Sequence, residues 1–279
     1  MSAAAGAFTD PVLTFDRSEI IILVGALMAF FGGLHDLVFT QTPADETFEA
    51  STAAAALLSA QREIEQHKSN GFYTYYTLVR LRELLQAVLS ARSIIEGVLT
   101  SSERGDVVSS MQAMLRACQA QLRSALSFPA GHHWTLCIYR VEQDEKGPLL
   151  RCIAQDRYLT CSLEDARTWR LGESVPGQVM LRGEAVTVDD LFQEGSEGAL
   201  AVPEASRKPA DARRYRSLTG HPIFLGPNDQ LWGVVVGSCA LPGFFSQHSA
   251  EELNPVEVVR VVSEMAATMA AAYVTVEPA

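Results

Sequence analysis

The sequence predicts an α+β fold in which an antiparallel sheet flanked by helices follows an N-terminal hydrophobic helix and a helical segment. Three observations carry that expectation. Residues 20–39 form a nearly unbroken apolar run, residues 43–128 are dominated by Ala, Leu, Gln, Glu and Arg, and residues 132–239 alternate short β-rich stretches with turn residues. Strong helix formers lose little side-chain entropy in a helix, whereas β-branched runs bounded by Gly, Pro, Asn and Asp read as strands. The corresponding division is a flexible N-terminus at 1–18, a hydrophobic helix at 19–40, a helical stalk at 41–127 and a sheet domain at 128–279.

The run at 20–39 is apolar on every side, so as a helix it belongs in lipid or in a protein core. About twenty residues are needed to cross a hydrocarbon layer of roughly 30 Å, and the run reaches that length with His35 and Asp36 near an interface. A transmembrane or anchoring helix is expected, with a buried soluble helix as the alternative. Arg17 is the only basic residue close to the run, so flanking charge gives little orientation.

A formal net charge of -11 argues against general nucleic-acid binding, which needs a concentrated basic face. Five cysteines, odd in number and widely spaced, give neither a disulfide framework nor a CxxC metal site. They place the folded part in a reducing compartment, so the sheet domain is expected on the cytoplasmic side of any membrane.

Three helices are expected before the sheet. The first covers 44–68 and stops at Ser69-Asn70-Gly71. The second, 73–99, carries Leu78, Leu81, Leu85, Val88, Leu89, Ile95 and Leu99 near one face. The third, 107–126, has a stripe of Met111, Met114, Leu115, Cys118 and Leu122. Two readings stay open: a stalk that dimerises or transmits a signal, and an antiparallel helical hairpin covering the next domain.

Strands are expected at 132–141 and 149–154, joined by a polar turn at 142–148. Gly172 and Pro176-Gly177 punctuate the chain before a short apolar helix of Val179, Met180 and Leu181, and Gly183 stands where a left-handed C-cap favours glycine. Residues 185–188 read as a strand that ends at Asp189-Asp190, a turn. Two β-runs, 218–225 and 231–239, meet across Gly226-Pro-Asn-Asp-Gln230, a hairpin signal with turn chemistry behind it. A last helix opens at Ser249, and Val256, Val259, Val262, Met265, Ala266, Met269 and Tyr273 recur along it every three or four residues.

A glycine-rich entry, a small helix, a strand ending in an acidic residue, a variable loop and a Pro-containing hairpin (His221-Pro222) occur in that order between residues 171 and 240. In this the C-terminal half resembles a GAF domain. The resemblance implies a six-stranded antiparallel sheet with helices behind it and a ligand pocket in front, roofed by the variable loop at 191–215. It also implies a closing helix packed on the sheet or on a second subunit. Arg207, Lys208, Arg213, Arg214 and Arg216 crowd the end of that loop, and guanidinium groups suit carboxylate or phosphate. An anionic small molecule is therefore expected on Arg213, Arg214 and Arg216, with Ser217, Asp189 and Trp169 beside them. The alternative is a solvated loop balancing its own Glu194, Glu197 and Glu204.

His132, His133 and His221 have no partner at metal-ligand spacing. Cys161 invites comparison with bilin-binding GAF domains, but Ser162 follows it where those domains commonly carry histidine. Cys137 and Cys152 are expected to be inert apolar packing. The signature of cyclic-nucleotide GAF domains is missing, and no nucleophile elbow, Walker loop or zinc motif occurs. No cofactor is named by the sequence. The expected protein is a membrane-associated sensor or regulator, not an enzyme, acting as a homodimer and through a separate output protein. The alternatives are a soluble redox enzyme similar to the free methionine sulfoxide reductases and a scaffold with a vestigial pocket.

Overall fold

The computed structural model describes residues 72–101, 105–159, 161–193, 200, 202–203, 207–208, 211–226, 230–246 and 253–274. The apolar run at 20–39 and the helix expected at 44–68 lie outside them. Among the described residues no helix is long and apolar enough to cross a membrane. The chain divides into two compact units, Met1–Val79 and Arg80–Ala279, and the sheet belongs to the second.

Among the described residues two helices come first, α1 (Phe72–Thr100) and α2 (Val107–Leu126). Asp106 caps α2, its carboxylate accepting the Ser109 amide at 2.9 Å, and Ser127 closes the helix with a left-handed φ of 55°. The whole expected stripe of α2 is buried. In α1 the buried face is turned from expectation: Leu81, Leu84, Ala87, Val88, Ala91 and Ile95 are buried, while Leu89 is 42% exposed. The reason is close approach, since the Cys118 thiol of α2 donates to the Ala87 carbonyl at 3.0 Å, and alanines rather than leucines leave room for that.

Six strands form one antiparallel sheet: β1 (Trp134–Asp144), β2 (Gly147–Arg157), β3 (Trp169–Arg170), β4 (Val186–Val188), β5 (Ser217–Leu225) and β6 (Gln230–Cys239), in the order β3-β2-β1-β6-β5-β4. The β1–β2 hairpin is longer than the sequence predicts, with Asp144 paired to Gly147 and only two residues in the turn. Gly147 takes φ 104°, which allows so short a connection. Helices α2 and α5 (Pro255–Val274) pack behind the sheet, and α3 (Ser174–Arg182) packs in front. The fold is GAF-like, an α+β arrangement of an antiparallel sheet flanked by helices.

Two boundaries differ from expectation for identifiable reasons. The last helix starts at Pro255 rather than Ser249, because Asn254 accepts the Val256 amide at 2.9 Å and proline at the first helical position sacrifices no bond. Pro176 and Gly177 sit inside α3 rather than before it. A Cβ on Gly177 would lie 2.2 Å from the Arg170 carbonyl oxygen, so glycine lets the helix meet β3.

Alternation divides the strands between two cores. Leu136, Ile138 and Val235 are buried behind the sheet, where Phe245 and Val259 close on Gly237. Cys137, Tyr139, Cys152, Val234 and Val236 face forward, against Val175, Val179 and Met180 of α3.

Candidate functional site

The front layer does not fill the whole sheet. α3 covers the β4–β5 end, and beside it lies a cavity of about 290 Å³, at the small end of the usual range for small-molecule sites, roughly 300–1,000 Å³. Its floor is Tyr139 of β1, Leu218 of β5 and Val236 of β6, with Trp169 of β3 alongside. Arg157, the last residue of β2, enters beside Cys161 from the following loop. The segment between β4 and β5 supplies the opposite wall, including Lys208, Tyr215 and the short helix α4 (Asp211–Arg214). Ser174 and Pro176 bring the start of α3 to the same wall.

Charge within this space is arranged in two tiers. Arg167 and Asp211 form an ion pair in which Nη2 alone donates to both carboxylate oxygens, at 2.7 and 2.8 Å, with side chains only 15% and 8% exposed. The guanidinium lies 5.8 Å from the ring centres of both Trp169 and Tyr215, so two π-faces also hold it. Asp211 accepts the Lys208 amide as well, at 2.8 Å, which fixes the start of α4. Asp211 is thus fully engaged by hydrogen bonds.

Arg157 is not. Its Nη2 donates to the Cys137 sulfur at 3.4 Å, and its Nε is buried with no hydrogen-bond partner among the described residues. Burial opposes its charge, but the neighbouring thiols and phenols outweigh burial and hold it above the ordinary guanidinium range. Trp169 Nε1 is likewise buried, beside the Tyr139 hydroxyl. Lys208 and Arg214 have no acidic partner among the described residues. Four cationic side chains line the cavity against two acidic ones, Asp165 and Asp211.

The residues expected from sequence divide accordingly. Trp169 and Arg214 line the cavity. Arg216 lies outside the lining and is paired with Asp190, its Nε donating at 3.1 Å. Ser217 is fully buried behind the sheet, donating to the Val188 carbonyl at 3.2 Å and accepting the Phe245 amide at 2.9 Å, which is a structural duty. Asp189 is exposed and holds the segment after β6, accepting the Gly243 amide at 2.7 Å through its backbone carbonyl. The Arg213 side chain lies outside the described residues. Sequence reading missed Arg157, Arg167 and Tyr139. Only the strand register finds Arg157, because it stands opposite Thr135 on the front of β2.

Cys137 and Cys152 are both buried in the front core, as expected. The Cys152 thiol and the Arg157 charge draw the Cys137 thiol down against burial, while Cys152 is pushed up. Cys161, partly exposed, lies 3.7 Å from the Gln155 side-chain oxygen and faces the cavity. His221 is buried behind the sheet, 3.3 Å from Thr219 Oγ1, and burial pushes its pKa down to about 4. Among the described residues no group of His, Cys, Asp and Glu converges as a metal site.

Among solved structures, the chain is similar to the GAF domain of an Acinetobacter phosphoenolpyruvate-protein phosphotransferase, at 19% identity over 68% of this chain and 96% of that one, TM-score 0.40. It is similar to the corresponding GAF domain from Coxiella burnetii, at 17% identity over 70% and 96%, TM-score 0.43. It is also similar to free methionine-R-sulfoxide reductase from Neisseria meningitidis, solved with its substrate, at 17% identity over 75% and 98%, TM-score 0.41. These are likenesses of fold and decide nothing about activity. No family model matches the chain, and no curated protein matches it.

Proposed function

We propose that this GAF-like chain is a membrane-associated sensor or regulator that binds a small anionic molecule in the front cavity and signals through a separate output protein. The observation that carries the reading is the cationic excess of an apolar-floored cavity, with the buried Arg157 Nε–H awaiting an acceptor. Buried polar groups without partners are costly, and a ligand that supplies those partners binds with the strength of charge-assisted bonds. A thermal-shift screen of nucleotides and carboxylate metabolites against the full chain tests it, because a ligand of the folded state alone raises the melting temperature by mass action. A saturable, salt-sensitive shift is expected, and no shift from any anion would refute the binding role.

The membrane half of the reading rests on the apolar run at 20–39. The full chain is expected in the membrane fraction and a chain beginning at Pro43 in the soluble fraction. Equal membrane retention of both would remove the anchor. The signalling route is a homodimer, for which Leu89 of α1 and Tyr158 and Leu159 after β2 offer exposed apolar surface.

One observation favours a second reading, thiol redox chemistry: Cys161 faces the cavity and the Cys137 thiol sits against Arg157. Reduction of free methionine sulfoxide with dithiothreitol present, lost in C161S, would establish it in place of a pure binding role.

A further inference from the structure

We propose that the oxyanion of the cavity's ligand, a carboxylate or a phosphate group, is held by a polar row of three strand residues, Arg157, Thr135 and Ser238, while its apolar body lies along Val236, Leu218 and the ring of Tyr139. This rests on the reading of the cavity as an anion site and names the residues that hold the charge.

Strand pairing sets the row side by side. Arg157 of β2 stands opposite Thr135 of β1, Thr135 opposite Ser238 of β6, and Ser238 opposite Leu218 of β5. Residues directly opposite on one face have Cβ atoms about 4.5–5.5 Å apart, and the Thr135 and Ser238 hydroxyls meet at 2.6 Å. All four residues line the cavity. The Arg157 guanidinium turns along the floor, since its Nη2 reaches the Cys137 sulfur at 3.4 Å and Cys137 is the next residue of β1 on the front face after Thr135. The cation therefore follows the stretch of β1 from Thr135 to Cys137. The adjoining row of Cys137, Val236 and Gly220 offers nothing more polar than a thiol, so the floor changes from apolar to polar within one row.

The chemistry of the row suits an oxyanion. Arg123, Arg167, Arg170 and Arg216 each hold an aspartate, whereas among the described residues no carboxylate neutralises Arg157. Its Nε is buried without a partner, and the acceptor its Nη2 reaches is a thiol, which is weak. A hydroxyl carries one proton that rotates to suit its surroundings, and the mutual bond of Thr135 and Ser238 uses one of the pair's two. The other turns to a thiol, as towards Cys137 beside Thr135, or to a ligand oxygen, and an anionic oxygen is much the stronger acceptor. Lys208, exposed, and Arg214, half-buried on the four-residue α4, strengthen the field from the opposite wall for carboxylate and phosphate alike. Groups carried on paired strands are placed more precisely than groups on a loop, so the row fixes where the oxyanion sits.

The test is titration calorimetry on the full chain with hexanoate, phenylacetate, hexyl phosphate and phenyl phosphate, beside hexanamide, phenylacetamide, hexanol and phenol as their neutral counterparts. At least one anion is expected to bind about tenfold or more tightly than its counterpart, and the better of the two head groups identifies the oxyanion. R157Q should abolish the preference, and R157K, which keeps the charge without the planar fork, should weaken the anion several-fold. T135V/S238A removes both hydroxyls and should weaken the anion about fivefold while the neutral compound is unchanged. K208Q should weaken it less than R157Q, by a loss that fades in about 0.5 M salt, whereas the R157Q loss should persist there. A neutral compound that binds as well as its anion, an R214Q loss larger than that of R157Q, or indifference to both R157K and T135V/S238A would overturn the row while leaving the cavity a ligand site. If only another anion of the wider screen binds, the same variants are read with that anion. Failure of every probe and every anion of the screen would overturn the ligand-site reading itself.

Discussion

Replacing Asp211 by alanine should destabilise the protein and at the same time tighten anion binding, two effects of opposite sign from one change. The carboxylate is 8% exposed and accepts from two nitrogens, Arg167 Nη2, which reaches both of its oxygens, and the amide of Lys208. Removing one partner of a buried pair costs about 3–5 kcal/mol, chiefly because the other charge is left uncompensated. Here the lower end applies: Arg167 keeps 15% exposure and the faces of Trp169 and Tyr215, so a loss of about 3 kcal/mol is expected, or roughly 6–12 °C in melting temperature for a unit of this size. Urea unfolding monitored by tryptophan fluorescence measures it. The released guanidinium faces the cavity and should raise the affinity of any bound anion, with a steeper salt dependence. The double variant R167M/D211L should be more stable than D211A, since apolar replacement of both partners leaves no buried charge. A D211A chain within about 1 kcal/mol of wild type, or a double variant less stable than the single one, would refute the description of this pair as a buried clamp.

The His221 pKa of about 4 in the folded state, against about 6.5 in an unfolded chain, gives a second expectation. Its folded pKa is lowered, so the unfolded state takes up the proton first and stability falls as pH drops from about 6.5 towards 4, by about 2 kcal/mol between pH 7 and pH 5. Glu257 opposes the downward shift and Arg260 adds to it; H221L should flatten this window in urea unfolding, and an unchanged slope would contradict the assignment. In G237A the new Cβ would meet Phe245 at 2.7 Å and Val259 at 2.9 Å. A loss of about 1–3 kcal/mol is expected from overpacking, partly recovered in G237A/F245L, and a wild-type urea midpoint for G237A would count against so tight a back core. Light scattering of a chain beginning at Pro43 should report a dimer at micromolar concentration, and a strict monomer would remove the proposed signalling route.

Much of the fold could be read from local patterns because those patterns are local in origin. The α2 stripe, the left-handed cap at Gly183 (φ 68°) and the β5–β6 hairpin each depend on residues close in sequence. The two-residue β3 and the four-residue α4 could not be, since neither is long enough to show a period. The site divides along the same line. Loop arginines announce themselves by clustering, yet Arg216 is committed to Asp190. Arg157 looks like an ordinary polar strand end until β1–β2 pairing sets it across from Thr135. Arg167 and Asp211, 44 positions apart, become one unit only through the fold.

Arg80, on α1, is 3% exposed and spends its guanidinium on main chain: Nε donates to the Ala125 carbonyl at the end of α2, and Nη2 to the Leu253 carbonyl just ahead of α5, both at 2.7 Å. Apolar helices can slip past one another by trading one greasy neighbour for the next. A fork that fits two fixed oxygens has a single keyhole. Turning α1 about its axis, or sliding it by one residue, would strip both oxygens at once, so the helix is indexed to its neighbours and any piston or rotary stroke along it must carry the ends of α2 and α5 with it.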